Sequence, residues 1–248
     1  MNEHRLTILA HLAELRRRLF VSVLALVVGS AIAFPFWERI VELLVRPGPE
    51  VDLIAVELTE TLSTSIKVSM VAGFVLASPV ILYQVVLFVA PGLTGKEKRY
   101  LIAFLPGTLV AFASGVSFGY FVLLPPLLGF LIGHGSDIIE IQPRVSSTVG
   151  QIIRLLLGMG LAFETPLVMH LLAKLGIVNA RMLSRFRRYW LVVAFVMAAV
   201  ITPTVDPFNQ ALVAGPLLAL YEVGILLARL AGRGRAKSRA ITPATRVD

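Results

Sequence analysis

The sequence predicts an all-α, polytopic membrane protein with six transmembrane helices and both termini in the cytoplasm. The chain has 248 residues, of which 57% are hydrophobic and only 15% charged, a composition too apolar for an ordinary soluble domain. Its apolar residues form about six long runs, near the roughly 17–25 residues that span a bilayer. Short cytoplasmic loops are rich in Lys and Arg, and 18 of the 23 Lys and Arg residues lie in four clusters between these runs, at residues 5–18, 96–99, 174–188 and 229–246.

The positions of the spans follow from the apolar runs. The predicted first outer loop, residues 38–66, holds six acidic residues against only Arg39 and Arg46, as an outer loop should. We expect residues 1–230 to form a single membrane domain. The remaining tail, residues 231–248, is small, basic and polar, so we predict that it is disordered. The predicted spans are residues 19–37, 68–90, 101–132, 149–173, 189–202 and 208–228.

The third and fifth predicted spans have unusual lengths. The third is too long for a simple span, and Pro106, Pro125 and Pro126 predict a helix kinked near its outer end. The fifth, from Tyr189 to Thr202, rises only about 21 Å, against about 30 Å of hydrocarbon. The sixth is also short, so we predict a short hairpin at this edge.

The first span has a competing interpretation as a cleavable secretory signal. A basic start, an apolar run from Leu19 and the Ala-Ile-Ala sequence of residues 31–33 fit such a signal. The basic start is long, however, and contains Glu3 and Glu14. We therefore favour an uncleaved span.

Composition also restricts the cofactors and partners. A net charge of +8 could indicate nucleic acid, but the cations are spread over four loops with few aromatic residues, so we expect no nucleic-acid partner. Basic loops beside an anionic leaflet explain the charge better. The chain has no cysteine, which excludes disulfides, thiolate nucleophiles and zinc–thiolate sites. We expect neither a cofactor nor a metal.

Glu164 lies near the middle of the fourth predicted span. An ionisable group at that depth is costly and by default indicates a function. A structural alternative is a neutral carboxyl that bonds a neighbouring helix or a water. Under either interpretation we expect it to face a polar, protein-lined hollow. His170 does not share its helix face, and we interpret it as a packed histidine.

Glu14 and Glu97 are isolated acids on the predicted basic face of the membrane. Glu14 precedes three consecutive arginines, and Glu97 is the only acid in the loop of residues 92–99. If they lie near each other, they form an anionic site suited to a basic ligand. The structural alternative for Glu14 is local pairing with Arg17 or Arg18, three and four residues later on the same helix.

Several separate stretches of the sequence form a recognisable set. They are residues 11–19 (HLAELRRRL), 77–84 (ASPVILYQ) continuing to 88–93 (FVAPGL) and Glu97, 163–166 (FETP), 202–203 (TP) and 206–208 (DPF). Together they resemble the TatC family of twin-arginine protein translocases, with matching order, spacing and six-span layout over roughly residues 8–230. The resemblance also argues against a cleaved signal, because cleavage would discard the first stretch.

The resemblance implies a receptor without catalytic chemistry, in the cytoplasmic membrane, for folded proteins whose signal peptides carry two adjacent arginines. It implies that Glu14 and Glu97 receive those arginines, and that Arg16 and Phe88 support the same site. Paired carboxylates suit this task because they bind guanidinium bidentately. Pro47 matches a structural proline of the first outer loop.

The resemblance also implies roles deeper in the membrane. Glu164 matches the family's intramembrane acid, and Thr202 and Gln210 fall where the family binds single-span partner subunits of the TatA and TatB type. An oligomeric complex in the lipid bilayer is therefore expected. The loop of residues 94–96 departs from the more aromatic or acidic versions of the family, which leaves the fine shape of the signal-peptide site open.

A proton-coupled small-solute transporter that uses Glu164 as its relay is the alternative from another class. It would need a second mid-span acid or a substrate cavity, and the sequence has no second mid-span acid. A membrane-embedded hydrolase fits less well, because the sequence contains neither His-Glu-x-x-His nor Gly-x-Ser-x-Gly.

Overall fold

The computed structural model describes residues 2–49, 53–89, 95–133, 142–202 and 206–240, without the side chains of residues 2–10, 89, 96–98 and 232–240. Within these ranges nearly every residue is helical, which confirms the predicted all-α class. The helices are α1 (Asn2–Ala33), α2 (Trp37–Val45), α3 (Glu60–Val89), α4 (Gly95–Phe118), α5 (Leu124–Gly133), α6 (Val145–Leu175), α7 (Ala180–Ile201) and α8 (Pro207–Ala240).

Five helical stretches in the described part of the chain are long and apolar enough to cross a membrane. The remaining predicted span lies in α7, whose first ten residues contain four arginines. The whole helix has 22 residues and rises about 33 Å. The predicted shortness therefore applies to the apolar part of α7, and the helix itself is of ordinary length.

The described helices group into two compact units. The single membrane domain predicted for residues 1–230 stays a prediction. The first unit draws on residues 1–109 and 120–153, and the second on residues 110–119 and 154–248. The helices α4 and α6 contribute residues to both units.

In the first unit, α1 and α3 pack along each other and cross at two glycines. A Cβ added to Gly29 would lie 2.7 Å from the carbonyl oxygen of Gly73. Such a close backbone approach is typical of membrane helices that meet at small residues. A side chain at either position would push the helices apart, so this crossing holds the register of α1 on α3.

In the second unit, α7 and α8 form an antiparallel pair. The Tyr221 hydroxyl donates a hydrogen bond to the Leu183 carbonyl (2.9 Å). The indole of Trp190 stacks on the Tyr221 ring with centroids 4.6 Å apart, and its N–H donates to the Leu217 carbonyl (3.4 Å). These contacts fix the rotation of α7 about its own axis.

The predicted interruption of the third span takes the form of a π-helical turn at Gly119–Leu123, directly before α5. Pro125 and Pro126 lack a backbone N–H, so the carbonyls four residues earlier lose their ordinary donors. A wider turn at this point accommodates the break in the hydrogen-bond ladder. Pro106 lies inside α4.

The disorder that the sequence predicts for the tail, residues 231–248, stays a prediction. The helix α8 continues through residues 232–240 to Ala240. Ala, Arg and Lys dominate this segment and are strong helix formers, which explains the extension. Residues 241–248 lie outside the described part of the chain.

Candidate functional site

The basic end of α1 packs against the last turn of α3. The rings of His11 and Phe88 stack with centroids 4.5 Å apart and planes inclined by 22°. This contact places the start of the predicted acidic site next to the last described turn of α3. The structure therefore brings Phe88 together with the stretch of α1 that contains Glu14.

Arg18 connects Glu14 to α3. Its guanidinium donates to Glu14 Oε1 (3.2 Å) and to Gln84 Oε1 (3.1 Å). The salt bridge confirms the local pairing that the sequence offers as the structural interpretation of Glu14. We call His11, Glu14, Arg18, Gln84 and Phe88 the Glu14 cluster.

The salt bridge uses only part of the Glu14 carboxylate. Glu14 Oε2 has no hydrogen bond to any residue that the structure describes, and 30% of the side chain is exposed. An ionised carboxylate can accept about four hydrogen bonds. Glu14 therefore keeps the capacity to bind a second cation while it is paired with Arg18.

Arg16 lies on another side of α1. Residues two apart on a helix do not face each other, and Arg16 lines an open hollow of about 440 Å³ together with Ala13, Arg17 and Phe20. The structure thus places Arg16 near the Glu14 cluster along the chain but directs it away from the carboxylate.

Glu97 lies in the first turn of α4, a helix of the same unit as α1 and α3. Its side chain is outside the described residues, so its approach to Glu14 stays a prediction. An acid in the first turn of a helix is favourable because the N-terminal end of the helix dipole is positive.

Glu164 is half-buried on α6, at the edge between two faces of that helix. Leu161 and Val168, at i−3 and i+4, are exposed. Gly160, at i−4, faces α4 so closely that an added Cβ would meet the Phe112 ring at 2.6 Å. The Glu164 carboxyl has no hydrogen bond among the described residues. The polar, protein-lined hollow expected around it stays a prediction.

The outer ends of α7 and α8 form an apolar groove of about 530 Å³ that we call the α7 groove. Its polar side chain is Gln210, whose amide donates to the Phe195 carbonyl (3.1 Å). Thr202 is fully buried, and its hydroxyl donates to the Ala198 carbonyl (2.9 Å). Of the two predicted partner-binding residues, Gln210 is therefore the accessible one. The groove is lined by Leu191, Val192, Phe195, Val196, Ala199, Val200 and Gln210.

Pro47 lies in the turn that ends α2. Gly48, the next residue, donates to the Val45 carbonyl (2.9 Å) and approaches the Leu128 side chain, where an added Cβ would lie 2.8 Å from Leu128 Cδ1. Proline fixes its own φ and so stiffens the turn. The predicted structural role of Pro47 stays a prediction that this geometry favours.

A family model for the Sec-independent protein translocase protein TatC matches residues 10–216 of the chain. The TatC protein of Aquifex aeolicus is 43% identical over 229 residues, which cover 90% of this chain and 95% of that protein. The chloroplastic TATC protein of Pisum sativum is 36% identical over 94% of this chain and 66% of its own length. A crystal structure of the twin-arginine translocase receptor TatC matches with a TM-score of 0.79 and 41% identity, over 89% of this chain and 99% of that chain.

The chain belongs to the TatC family.

Membership of the TatC family makes this chain a subunit of a Sec-independent protein translocase and a multi-pass membrane protein. It is a translocase component and not an enzyme. The predictions of family, all-helical membrane fold and translocase role are thus confirmed. The resemblance in the sequence identified the family correctly because its motifs were spread over most of the matched range.

The TatC-family chain contains one bonded cluster that the sequence reasoning missed. Glu60, the first residue of α3, is buried and accepts hydrogen bonds from the Val56 N–H (2.9 Å), the Ser146 N–H (3.0 Å) and Arg144 (3.3 Å). Arg144 also pairs with the exposed Glu57 (3.3 Å). We call Glu57, Glu60, Arg144 and Ser146 the outer clasp.

The outer clasp joins the first predicted outer loop, residues 38–66, to the segment directly before α6. Ile54 pairs with the segment before α6, because its N–H donates to the Pro143 carbonyl and its carbonyl accepts from the Val145 N–H. Hydrogen bonds to Glu60 and Glu57 raise the pKa of Arg144 above its ordinary value, since they stabilise the charged guanidinium. The sequence signal for this cluster was Arg144. It is the only Lys or Arg in the predicted outer loop of residues 133–148, whereas the first outer loop, residues 38–66, is strongly acidic.

Glu222 is a second residue that the sequence reasoning missed. It lies on α8 and forms a 2.6 Å salt bridge with Arg187. Glu14 and Glu97 are therefore not the only acids beside the basic clusters. Glu222, however, lies on α8 and is not part of the Glu14 cluster.

Proposed function

We propose that this TatC-family chain is the receptor subunit of a twin-arginine translocase in the cytoplasmic membrane. It binds the adjacent arginines of a signal peptide through Glu14 and Glu97 and recruits single-span partner subunits for the export of folded proteins. The observation that carries the proposal is that only one oxygen of the Glu14 carboxylate is bonded. Oε1 accepts a hydrogen bond from Arg18, and Oε2 is open to a second guanidinium.

The surroundings of Glu14 support binding of a peptide. The bridge from Arg18 to Gln84 anchors the carboxylate to α3, so little side-chain entropy remains to be lost when a ligand binds. The His11–Phe88 stack forms an apolar border beside it, suited to the residues that flank the two arginines. A bidentate carboxylate contact favours arginine over lysine.

The test is binding of a fluorescent twin-arginine signal peptide to the detergent-solubilised full chain. We expect Glu14→Ala and Glu97→Ala each to raise the Kd about tenfold or more, because each removes a charge-assisted hydrogen-bond acceptor. A twin-lysine peptide should bind weakly to the unmodified chain and should be less affected by these variants.

Glu222→Gln is the matched control for loss of an acid near the basic clusters. Glu222 is an exposed acid paired with an arginine, as Glu14 is, but it lies on α8 and is not part of the Glu14 cluster, so the Kd for the twin-arginine peptide should stay within about twofold. Undiminished peptide binding by the Glu14→Ala, Glu97→Ala double variant would rule out this receptor site.

The α7 groove is the part of the proposal that concerns the partner subunits. It is apolar and open, and Gln210 offers an amide in it, so a single-span helix that carries one polar residue matches it. A hydrogen bond of this kind between membrane helices is worth about 0.6–2 kcal/mol. That value suits reversible recruitment. Thr202 would then shape the end of α7 without touching the partner.

Cysteine crosslinking tests the groove, because the chain contains no native cysteine. We expect Val196→Cys and Gln210→Cys to crosslink to a cysteine in a single-span partner subunit. Val27→Cys, on the exposed surface of α1, is the control and should not crosslink. If Val27→Cys crosslinks to the partner and the two groove variants do not, the partner docks on α1 and not in the α7 groove.

A further inference from the structure

The arginines at the start of α7 divide between two faces of the helix. Arg187 turns toward α8 and forms the salt bridge with Glu222. Arg181, Arg185 and Arg188 are spaced at i, i+4 and i+7, which places them on one face of the helix. All three are exposed, and we call them the basic face.

The basic face points away from α8. Leu183 and Trp190 contact Tyr221 of α8, and Ala194 on the same side of α7 is fully buried. These three positions lie on the side of the helix opposite to Arg185. The packing that fixes the rotation of α7 therefore also directs the basic face outward.

One turn further along, the same face becomes apolar. Val192 and Val196 continue the series at four-residue steps from Arg188, and they are 62% and 57% exposed. In a membrane such a face lies within the hydrocarbon layer, against acyl chains or against an apolar helix in the α7 groove. Cations at its end then lie at the level of the lipid headgroups, where arginine side chains extend toward the polar region. The exposed Tyr189 lies at the boundary, the usual position of tyrosine at a membrane interface.

The charges of the basic face are not compensated by acids of the described chain. Neither Arg181 nor Arg185 has a salt bridge there. Arg188 donates to the Tyr189 hydroxyl (3.0 Å) and lies 4.8 Å from the centre of that ring, a contact that leaves its charge in place. Arg187 is the contrasting case, since Glu222 neutralises it.

We propose that the basic face binds the phosphodiester headgroup of an anionic phospholipid. Charge complementarity identifies the ligand, because a guanidinium donates two parallel hydrogen bonds to a phosphate. Arg181 and Arg185 are one helical turn apart, roughly 6 Å, so both can reach one headgroup. The exposed side chains of Met182 and Phe186 lie beside them and offer contact to the acyl chains.

Lipid binding by the detergent-solubilised full chain tests this proposal. Fluorescent phosphatidylglycerol would be titrated with the chain, and fluorescent phosphatidylcholine would serve as the zwitterionic comparison. We expect tighter binding of phosphatidylglycerol, and a rise in its Kd of about tenfold or more in the Arg181→Gln, Arg185→Gln variant. The Arg187→Gln, Glu222→Gln variant removes a compensated pair from the same region and should stay within about twofold.

A second variant separates geometry from charge. The Arg181→Lys, Arg185→Lys variant keeps both charges but loses the bidentate geometry. Its Kd for phosphatidylglycerol should lie between that of the unmodified chain and that of the Arg181→Gln, Arg185→Gln variant. Equal binding of phosphatidylglycerol by the unmodified chain and the glutamine variant would overturn the proposal. Displacement of the lipid by millimolar inorganic phosphate would also overturn it, because the site would then bind a free anion. Displacement by an acidic peptide but not by unlabelled phosphatidylglycerol would assign the basic face to a protein partner.

Discussion

The outer clasp and the Glu14 cluster each contain a glutamate paired with an arginine, but they differ in how fully the glutamate is used. Glu60 has a side chain only 2% exposed, and both its oxygens accept hydrogen bonds. Glu14 has one oxygen bonded and its side chain is 30% exposed. The presence of an ion pair therefore does not distinguish a structural glutamate from a binding one. What distinguishes Glu60 from Glu14 is how deeply the side chain is buried and how many of its hydrogen-bond acceptors are unused.

The difference has an energetic basis. Removing a fully bonded, buried acceptor leaves several donors without partners, which is costly. Removing a half-exposed acceptor lets water replace it at little cost. Glu60 should therefore be required for stability, and Glu14 should be required for binding.

The largest expected effect comes from Glu60→Gln. The amide would place an N–H donor against the N–H groups of Val56 or Ser146, so one buried donor would lose its acceptor. We expect the Tm of the detergent-solubilised chain to fall by roughly 5 °C or more. Binding of the twin-arginine peptide below that temperature should be unchanged.

Glu57→Gln is the matched control for Glu60→Gln. Glu57 pairs with the same Arg144 at the same distance of 3.3 Å, but its side chain is 67% exposed. An exposed ion pair contributes little, so the Tm should fall by no more than about 2 °C. If Glu57→Gln and Glu60→Gln lower the Tm equally, burial does not distinguish a structural glutamate from a binding one.

The features that the sequence predicted well depend on composition and on local spacing. Long apolar runs between basic clusters identified the membrane helices, and the paired prolines predicted the interruption that the π-helical turn at Gly119–Leu123 confirms. The spacing of Glu14 from Arg17 and Arg18 offered a local salt bridge as one interpretation, and the structure shows the bridge to Arg18. Each of these follows from rules that act within a few residues.

The features that the sequence did not predict depend on contacts between distant segments. Gln84 meets Arg18 across 66 positions, and Ser146 meets Glu60 across 86. Such pairs depend on the register between helices, which in the first unit is set by the close approach of Gly29 and Gly73. Nothing in the local pattern around Gln84 marks it as a partner of Arg18.

The helix α7 shows a third case, in which the composition was interpreted correctly but the boundary was not. The apolar segment was short, as predicted, because four arginines occupy the start of the helix. The helix nevertheless includes them, since arginine is a good helix former. The division of those arginines between Glu222 and the exposed face became visible only once the packing on α8 was known.

The smallest expected effect, and the one that refines the comparison most, comes from Gln84→Leu. Gln84 accepts one hydrogen bond from Arg18 (3.1 Å) and so ties the Glu14–Arg18 pair to α3 without carrying a charge. Its loss should leave the salt bridge intact but allow the carboxylate to move. Ordering a mobile side chain on binding costs about 1 kcal/mol, so the Kd of the twin-arginine peptide should rise about fivefold.

Tyr83→Phe is the control for Gln84→Leu, because Tyr83 is the exposed neighbour on α3 and makes no hydrogen bond within the described residues. It should change neither the Kd nor the Tm. Gln84→Leu should likewise leave the Tm unchanged, since water can solvate the released Arg18 donor at this partly exposed position. If Gln84→Leu lowers the Tm but leaves the Kd unchanged, the Arg18–Gln84 bond is structural, like the bonds of the outer clasp. The open oxygen of Glu14 would then no longer identify a binding site.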